Sequence, residues 1–403
     1  MVNTTEKGNT NKIELIQVEP EVKVKGFIPE NLSKITLTSE LSEIQSRIIR
    51  LKSGDKYLSL SEKDKNIVSK FELGFEKISK QELLADDEII LSGHELVEFS
   101  NTLDEDVFRY LIYRYKYNLY PKLKIVDDYP PCVQIEPVST CNFRCVFCFQ
   151  TDASFNQKKN GHMGRMDLGL FKETIDELEG NVEAITLASR GEPLLHKNFG
   201  EMLEYMNGKF LAVKINSNAS LLTEKLIHTV LSNDVQTMVF SIDAADKDLY
   251  EKLRVGGNFE TTLGNVKNYQ KIKSESYPNS NIITRISGVK VNEMQKMDEM
   301  VDLWKPYADL VAFTNYSPWI SSYDNPVNEI EAPCTELWRR IFVWWDGRVN
   351  PCDYDYKSYL SEWDMKDNNI SEIWNSDNYN DMREMHLNSK RSNLNPCRSC
   401  IST

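Results

Sequence analysis

Residues 141–148 read Cys141-Asn142-Phe143-Arg144-Cys145-Val146-Phe147-Cys148 and lie just past a short apolar segment. Three thiolates this close together can bind three irons of a [4Fe–4S] cluster, and the fourth iron then has no protein ligand. An open coordination position is where a small molecule binds at a catalytic metal site. For an isolated triplet, a zinc knuckle or three incidental thiols is the alternative, and the sequence around the cysteines bears on that choice.

Short apolar segments alternate with amphipathic helical patterns between about residues 130 and 320. Six strand–helix units in series predict an α/β fold, a parallel sheet curled into a partial (βα)6 barrel. In such folds the chemistry gathers at the carboxyl ends of the strands, and the cysteine loop lies at the carboxyl end of the first. The predicted strands are Val133–Pro137, Ala184–Ala188, Ala212–Asn216, Thr237–Ile242, Ile283–Val289 and Leu310–Thr314.

The cysteine loop resembles that of the radical S-adenosylmethionine (radical SAM) superfamily, including the aromatic residue Phe147. The segment after the second strand, Ser189-Arg190-Gly191-Glu192-Pro193, is similar to the Gly-Glu-Pro motif of that family. The resemblance implies that this motif lines the methionine part of SAM. Glu192 can accept charge-assisted hydrogen bonds from the SAM ammonium group, and Gly191 lets the backbone approach closely. The family usually has a second glycine where this chain has Arg190, which either binds an anionic substrate group or lies at the surface.

Further matches to the family follow in order along the chain. Asn218 follows the third strand, where family members place polar residues near the ribose. By resemblance, Ser241 and Arg254 hold the SAM carboxylate, for which an arginine fork is chemically suited. Arg285, inside the fifth strand, is a further candidate for this contact. Taken singly, each of these residues is better explained as a turn residue or as part of a surface salt bridge, and only their order along the chain favours SAM binding.

The resemblance implies an activity and its cofactors. Cys141, Cys145 and Cys148 would bind a [4Fe–4S] cluster whose unique iron chelates SAM. An electron from the cluster would cleave SAM to a 5′-deoxyadenosyl radical, which takes a hydrogen atom from the substrate. A ferredoxin or flavodoxin is the expected electron donor.

Four more cysteines occur in the last 70 residues: Cys334, Cys352, Cys397 and Cys400. Four thiolates can bind a second [4Fe–4S] cluster, and a tetrahedral zinc site is the alternative. The arrangement resembles the SPASM/Twitch extensions of radical SAM enzymes, which bind auxiliary clusters. With four cysteines rather than seven, the Twitch form with one auxiliary cluster fits better. The spacing is similar to that of 2-deoxy-scyllo-inosamine dehydrogenase, which oxidises an aminocyclitol alcohol to a ketone.

The eighth cysteine, Cys132, opens the first predicted strand at the end away from the site. A radical epimerase has to return a hydrogen atom to its substrate, commonly from a thiol, and no suitable thiol is evident here. A dehydrogenase removes a second electron instead, and an auxiliary cluster can accept it. We therefore expect an oxidoreductase acting on a carbohydrate- or cyclitol-like small molecule. Modification of a ribosomally made peptide, sugar epimerisation and a non-catalytic cluster or zinc scaffold are the alternatives.

The sequence predicts three regions: an N-terminal accessory domain (1–125, with 1–12 disordered), a radical SAM core (126–320) and an auxiliary-cluster domain (321–403). The N-terminal region is mostly helical by its apolar spacing. Residues Tyr57–Glu62 and Gln81–Leu84 show a faint likeness to the winged-helix peptide-recognition domains of some radical SAM enzymes. A domain that caps the substrate or mediates dimerisation is the preferred interpretation.

Composition excludes several classes of partner. The formal net charge is −13, and without a basic stripe nucleic acid is not an expected partner. No apolar run approaches the ~18 residues of a membrane span, and the polar N-terminus lacks the apolar core of a signal peptide. The expected location is the cytoplasm, where thiols stay reduced.

Overall fold

The computed structural model describes residues 37–316, 320 and 322–403, without the side chains of 37–41, 93, 94 and 97. The predicted disorder of residues 1–12 lies outside these residues. The strands of the described part are β1 (Cys132–Ile135), β2 (Arg144–Cys145), β3 (Ala184–Leu187), β4 (Ala212–Ser217), β5 (Thr237–Ser241), β6 (Arg254–Val255), β7 (Ile283–Lys290), β8 (Leu310–Asn315), β9 (Arg340–Val343), β10 (Arg348–Asn350) and β11 (Trp363–Asp364).

Nine strands form one sheet in the order β11-β10-β9-β1-β3-β4-β5-β7-β8. The six predicted strands all pair in parallel and are neighbours in chain order, from β1 through β3, β4, β5 and β7 to β8. This confirms the α/β fold with a parallel sheet. The predicted C-terminal hairpin is present as β9 and β10, but it belongs to the main sheet, because β9 pairs in parallel with β1. The C-terminal region is therefore joined to the core by backbone hydrogen bonds.

Helices cover the outer face of this sheet. Alternate strand residues such as Ile185, Ile215 and Ile286 are fully buried against them, as expected where successive side chains point to opposite faces. The predicted N-cap Thr223 accepts a hydrogen bond from the Leu226 backbone N–H (3.3 Å), which starts one helix at the right residue. The helices after β1 are α6 (Ala153–Asn156), α7 (Leu168–Leu178), α8 (Phe199–Met206), α9 (Glu224–Ser232), α10 (Lys247–Leu253), α11 (Phe259–Ser276), α12 (Met297–Trp304), α13 (Ile370–Trp374) and α14 (Asp377–Leu387).

The described part of the N-terminal region is helical. Its apolar core also includes Cys132, Ala184 and Ala212, the first residues of β1, β3 and β4. Arg109 also forms a two-pronged ion pair with Glu183, one residue before β3 (2.8 Å for both contacts). The described part of this domain therefore lies at the amino end of the barrel, away from the predicted site at the other end. Its helices are α1 (Leu37–Leu51), α2 (Asp55–Leu58), α3 (Glu62–Ser79), α4 (Gly93–Asn101) and α5 (Val107–Leu123).

None of the helices in residues 37–316 and 322–403 combines the length and the apolar character needed to cross a membrane.

Gly74 provides a test of the packing inside the N-terminal domain. It lies in α3, and an added Cβ would come within 2.3 Å of the Ile89 carbonyl oxygen. We expect Gly74→Ala to lower the free energy of unfolding by about 1–3 kcal/mol, the usual range for overpacking. Anaerobic denaturant titration of the purified protein measures this change.

Gly264→Ala is the matched control. Gly264 lies inside α11 with no heavy atom within 4 Å of an added Cβ, so alanine should stabilise by up to about 1 kcal/mol through its higher helix propensity. Equal stability of the Gly74→Ala variant and the wild type would contradict the packing described here.

Candidate functional site

The cysteine loop lies at the carboxyl end of β1, and strand pairing holds its middle. Cys145 in β2 is opposite Arg254 in β6, and the Val146 N–H donates to the Leu253 carbonyl (3.0 Å). Backbone N–H groups also point at two sulfurs: Phe143 N lies 3.4 Å from Cys141 Sγ, and Gln150 N lies 3.5 Å from Cys148 Sγ. Donors placed in this way stabilise thiolates, the form that binds metal.

The three thiols fit the cluster that their spacing predicts. All three are free cysteines, and burial raises their pKa values, that of Cys141 to about 12, with Glu192 adding to the rise. Cys145 further raises the pKa of Cys148, so the thiolates are close enough to repel one another. Bound iron supplies the positive charge that offsets this cost. In the described residues no three His, Cys, Asp or Glu side chains are placed so that they could hold a single metal ion. A [4Fe–4S] cluster does not need such a group, because each thiolate binds a different iron.

Gly191 and Glu192 connect the end of β3 to its neighbours. An added Cβ on Gly191 would lie 2.2 Å from the Val138 carbonyl oxygen, so the close approach that requires glycine is to the backbone after β1. The Glu192 carboxylate, which is buried, accepts hydrogen bonds from Ser217 Oγ (2.8 Å), Asn218 N (2.7 Å) and Leu194 N (3.2 Å). A carboxylate has about four acceptor positions, which leaves one for the predicted SAM ammonium group. Pro193 begins the short 3-10 turn that follows.

Asn218 brings the end of β4 to the cysteine loop. Its Nδ2 donates to Asn142 Oδ1 (3.0 Å) and lies 4.0 Å from Cys141 Sγ. Asn142 in turn donates to Ser220 Oγ (2.9 Å). The predicted ribose contact of Asn218 is not tested by these bonds, but they place it beside the first cysteine.

Arg254 lies between the cysteine loop and the end of β5. Its Nε is 2.5 Å from Asp243 Oδ2, and its guanidinium lies over the Phe147 ring at 5.9 Å. Asp243 also accepts from the Val289 N–H (2.6 Å). Because Asp243 engages Nε, the predicted contact with the SAM carboxylate has to use the two terminal guanidinium nitrogens. Ser241 ends β5, two residues before Asp243, and its predicted SAM contact stays a prediction.

Arg190 has neither of the roles expected from the sequence. It is buried, and its guanidinium forms a two-pronged ion pair with Glu136 at the end of β1 (Nε–Oε2 2.7 Å, Nη2–Oε1 2.6 Å). It also donates to the Tyr356 carbonyl (2.9 Å) and lies over the Trp344 ring at 4.1 Å. The correction has a physical reason: the carboxylate of Glu136, 54 residues earlier, neutralises the charge and allows its burial.

The four C-terminal cysteines line one cavity. Burial raises the pKa of Cys334 to about 11 and also raises the pKa values of Cys352 and Cys397, and neighbouring thiols raise them further. These four thiols fit a second cluster, because bound iron supplies positive charge that offsets the cost of placing thiolates close together. The buried Arg391 guanidinium shapes the loop by donating to the carbonyls of Ala332, Cys397, Cys400 and Ser402 (2.9–3.3 Å).

The two cysteine regions contact each other through an aromatic layer. Tyr356 stacks on Phe149, next to Cys148, with ring centroids 4.8 Å apart. Its hydroxyl donates to Asp152 (2.7 Å), which also pairs with Lys357 (2.9 Å). The segment after Cys352 therefore packs directly on the segment after Cys148.

Several contributors were missed by the sequence argument. They are the polar residues Glu136, Asn142, Asp243 and Arg391, whose partners are brought to them by the folded chain and are not marked by any sequence pattern. A weak signal existed for Glu136, which directly follows β1, and for Asp243, which lies two residues after β5.

The chain matches two known families. Residues 135–303 match the radical SAM superfamily, and residues 334–401 match the SPASM iron–sulfur cluster-binding domain. The first match contains the cysteine loop and all the predicted SAM contacts, and the second contains all four C-terminal cysteines. The first implies a [4Fe–4S] cluster and SAM as cofactors, and the second implies auxiliary iron–sulfur binding.

The chain is similar to several curated proteins and solved structures. The mycofactocin maturase MftC of Mycolicibacterium smegmatis is 22% identical over 54% of this chain and 52% of its own length. The AdoMet-dependent heme synthase of Methanosarcina barkeri is 27% identical over 42% of this chain and 47% of its own length. The chain thus spans about half the length of the curated relatives it matches. Streptococcus suis SuiB, solved with the precursor peptide SuiA, has the same fold (TM-score 0.51, 16% identity, 82% of this chain, 80% of SuiB).

The two cysteine groups should bind iron independently. We expect about eight irons per chain in anaerobically purified protein, which is two [4Fe–4S] clusters. A Cys334→Ala/Cys352→Ala variant should retain about four, and so should a Cys141→Ala/Cys145→Ala variant. Iron, sulfide and zinc analysis measures this.

A Cys132→Ala variant is the control and should keep all the iron, because Cys132 is buried in the N-terminal core. One zinc per chain that disappears with Cys334 and Cys352 would instead show that the C-terminal site is structural.

Proposed function

The chain contains a radical SAM domain followed by a SPASM domain, and on this basis we propose that it is a radical SAM oxidoreductase that dehydrogenates its substrate. With the [4Fe–4S] cluster and SAM bound, the cluster would supply the electron for reductive cleavage of SAM, and the 5′-deoxyadenosyl radical would take a hydrogen atom from the substrate. The observation that supports the proposal most is the convergence of Glu192, Asn218 and Arg254 on the cysteine loop. A scaffold protein would have no need of these buried polar groups around its thiols.

The residues around the thiols have separate roles in this proposal. Glu192 would accept a hydrogen bond from the SAM ammonium group with its remaining acceptor position. Arg254 would bind the SAM carboxylate through its terminal nitrogens while Asp243 fixes its Nε. Phe147, Phe143 and Tyr316 form an apolar layer with the cysteines that excludes water from the reacting groups.

Oxidation is preferred over epimerisation because of where Cys132 lies. Seven of the eight cysteines form the two predicted ligand groups, and Cys132 is buried under the helical domain at the amino end of β1. It cannot reach a substrate at the carboxyl ends of the strands. The auxiliary site, in contact with the cysteine loop through Tyr356 and Phe149, is the proposed acceptor of the second electron.

The substrate is proposed to be a small hydroxylated molecule of the carbohydrate or cyclitol type. The half-buried Thr237 and Ser241 of β5, and Ser287 opposite Ser241 in β7, give the inner face of the sheet hydroxyl groups that suit such a molecule. A peptide is the second candidate, and the observation that favours it is the shared fold with SuiB, whose structure contains a precursor peptide.

The test uses reconstituted protein with SAM and a reductant. Wild type should form 5′-deoxyadenosine, and an accepted substrate should lose two hydrogen atoms with one SAM consumed per turnover. Aminocyclitols and sugars form one substrate panel, and peptides encoded near the gene form the other. Absence of SAM cleavage would refute the enzyme, and regeneration of SAM after each turnover would refute dehydrogenation.

Glu192→Gln should raise the KM for SAM. Removing a charge-assisted hydrogen bond to an ammonium group costs about 10- to 100-fold in binding. The rate of 5′-deoxyadenosine formation against SAM concentration measures this. Glu201→Gln is the control, since Glu201 is exposed and pairs with the surface residue Lys172. An unchanged KM in Glu192→Gln would contradict the assigned role.

A further inference from the structure

Three basic side chains lie on the inner face of the sheet, the face opposite the helices. Lys214 is on β4, Arg285 on β7 and Arg340 on β9. Their neighbours Ile215 and Ile286 are fully buried under the outer helices, so alternation along the strands turns the basic residues inward. Each is only partly buried. The inner face therefore presents an accessible group of positive charges.

Lys214 and Arg285 are within reach of each other. Lys214 is in register with Thr237, and Arg285 is in register with Val239, two residues further along β5. Their strands flank β5, and with the two-residue offset the Cα atoms are separated by about 12 Å, which two long side chains can span. Burial, together with the positive charges of Arg340 and Arg285, lowers the pKa of Lys214 to about 8, although nearby Cys132 and Glu336 act in the opposite direction. The two groups repel each other.

The nearby anions are already engaged. Glu336 binds both Arg339 (2.5 Å) and Arg340 (2.6 Å), and Asp353 faces Arg340. Within the part of the chain that the structure describes, neither Lys214 nor Arg285 has an ion pair or a side-chain hydrogen bond. The Nε of Arg285 is buried without any partner. Unpaired cations in a partly desolvated site cost free energy, and a bound anion would recover it.

We propose that Lys214 and Arg285 form a subsite for an anionic group, a carboxylate or a phosphate, carried by the substrate. This inference rests on the proposed function, because it assumes that the substrate enters the barrel from the carboxyl ends of the strands. Arginine binds such oxygens with two parallel hydrogen bonds and lysine adds a point charge. The substrate would thus be acidic, with its anionic end toward the amino end of the barrel.

The distance between the subsite and the predicted SAM contacts fits a substrate that is bound by its anionic end and reacts at its opposite end. Lys214 precedes Ser217, which contacts Glu192, by three residues, or about 10 Å along the strand. An anion held at Lys214 would leave the rest of a small molecule extending up to the predicted SAM contacts. A phosphorylated sugar and an acidic peptide side chain or C-terminus carry the same chemistry, so the test has to separate them.

The experiment measures anion binding to the unreduced holoprotein with SAM bound. The probes are glutarate for the carboxylate source and inorganic phosphate for the phosphate source, titrated by calorimetry. We expect one saturable site per chain for at least one probe, weakened tenfold or more in both Lys214→Met and Arg285→Met. Lys271→Met, at an exposed position of α11, is the control and should bind like wild type. The probe that binds more tightly shows whether the substrate group is a carboxylate or a phosphate.

Affinity for glutarate should also fall as the pH rises above about 8, where Lys214 loses its proton, and this dependence should be absent in Lys214→Met. Lys214→Arg and Arg285→Lys keep the charge and should retain most of the binding if the methionine variants fold poorly. Absence of a saturable site in wild type, or unchanged binding in either methionine variant, would overturn the subsite.

SAM cleavage in the absence of substrate is measured in parallel. It should be unchanged in Lys214→Met, whose side chain has no predicted SAM contact. Loss of cleavage in Arg285→Met with anion binding intact would overturn the proposal and show that Arg285 holds the SAM carboxylate. Anion binding by a wild-type protein that does not cleave SAM would refute the proposed function separately.

Discussion

The ion pair between Glu136 and Arg190 is the interaction on which the site depends. It lies where β1 and β3 end, with Glu136 fully buried and Arg190 nearly so, and two contacts of 2.6–2.7 Å join them. The same guanidinium reaches the Tyr356 carbonyl in the C-terminal region. Removing one partner of such a pair strands a buried charge and typically costs about 3–5 kcal/mol. The pair therefore ties both strand ends to the auxiliary domain.

Glu136 is the first of three carboxylates that have the same role at the carboxyl ends of the strands. Glu136 accepts from the Arg190 N–H after β3 (3.1 Å), Glu192 from the Asn218 N–H after β4 (2.7 Å), and Asp243 from the Val289 N–H in β7 (2.6 Å). Each joins the end of one strand to the segment at the end of its neighbour. Charge-assisted bonds of this kind are stronger than neutral ones. They hold the loops that carry the thiols in place at the carboxyl ends of the strands.

Much of this was predictable from the sequence, for clear reasons. The strands carry strong apolar signals, and the ends of all six were predicted to within two residues. The cysteine spacing predicted two groups of ligands, and the structure brings the members of each group together, while their binding of clusters stays a prediction. Arg190 was misplaced because its partner is 54 residues away, and the pairing of β9 with β1 has no local signal. The helical character of the N-terminal domain was predicted, but its docking against the amino ends of β1, β3 and β4 was not, because periodicity gives helices and not where they pack.

Hydrogen exchange of an Arg190→Met variant is the most direct test of this account. Exchange should rise together in the cysteine loop (137–151) and in the auxiliary segment (344–357), because one guanidinium holds both. Arg109→Met is the control, since its ion pair with Glu183 lies at the amino end and should leave both segments unchanged. Faster exchange in the cysteine loop alone, with residues 344–357 as protected as in wild type, would contradict the claim that this ion pair joins the two halves.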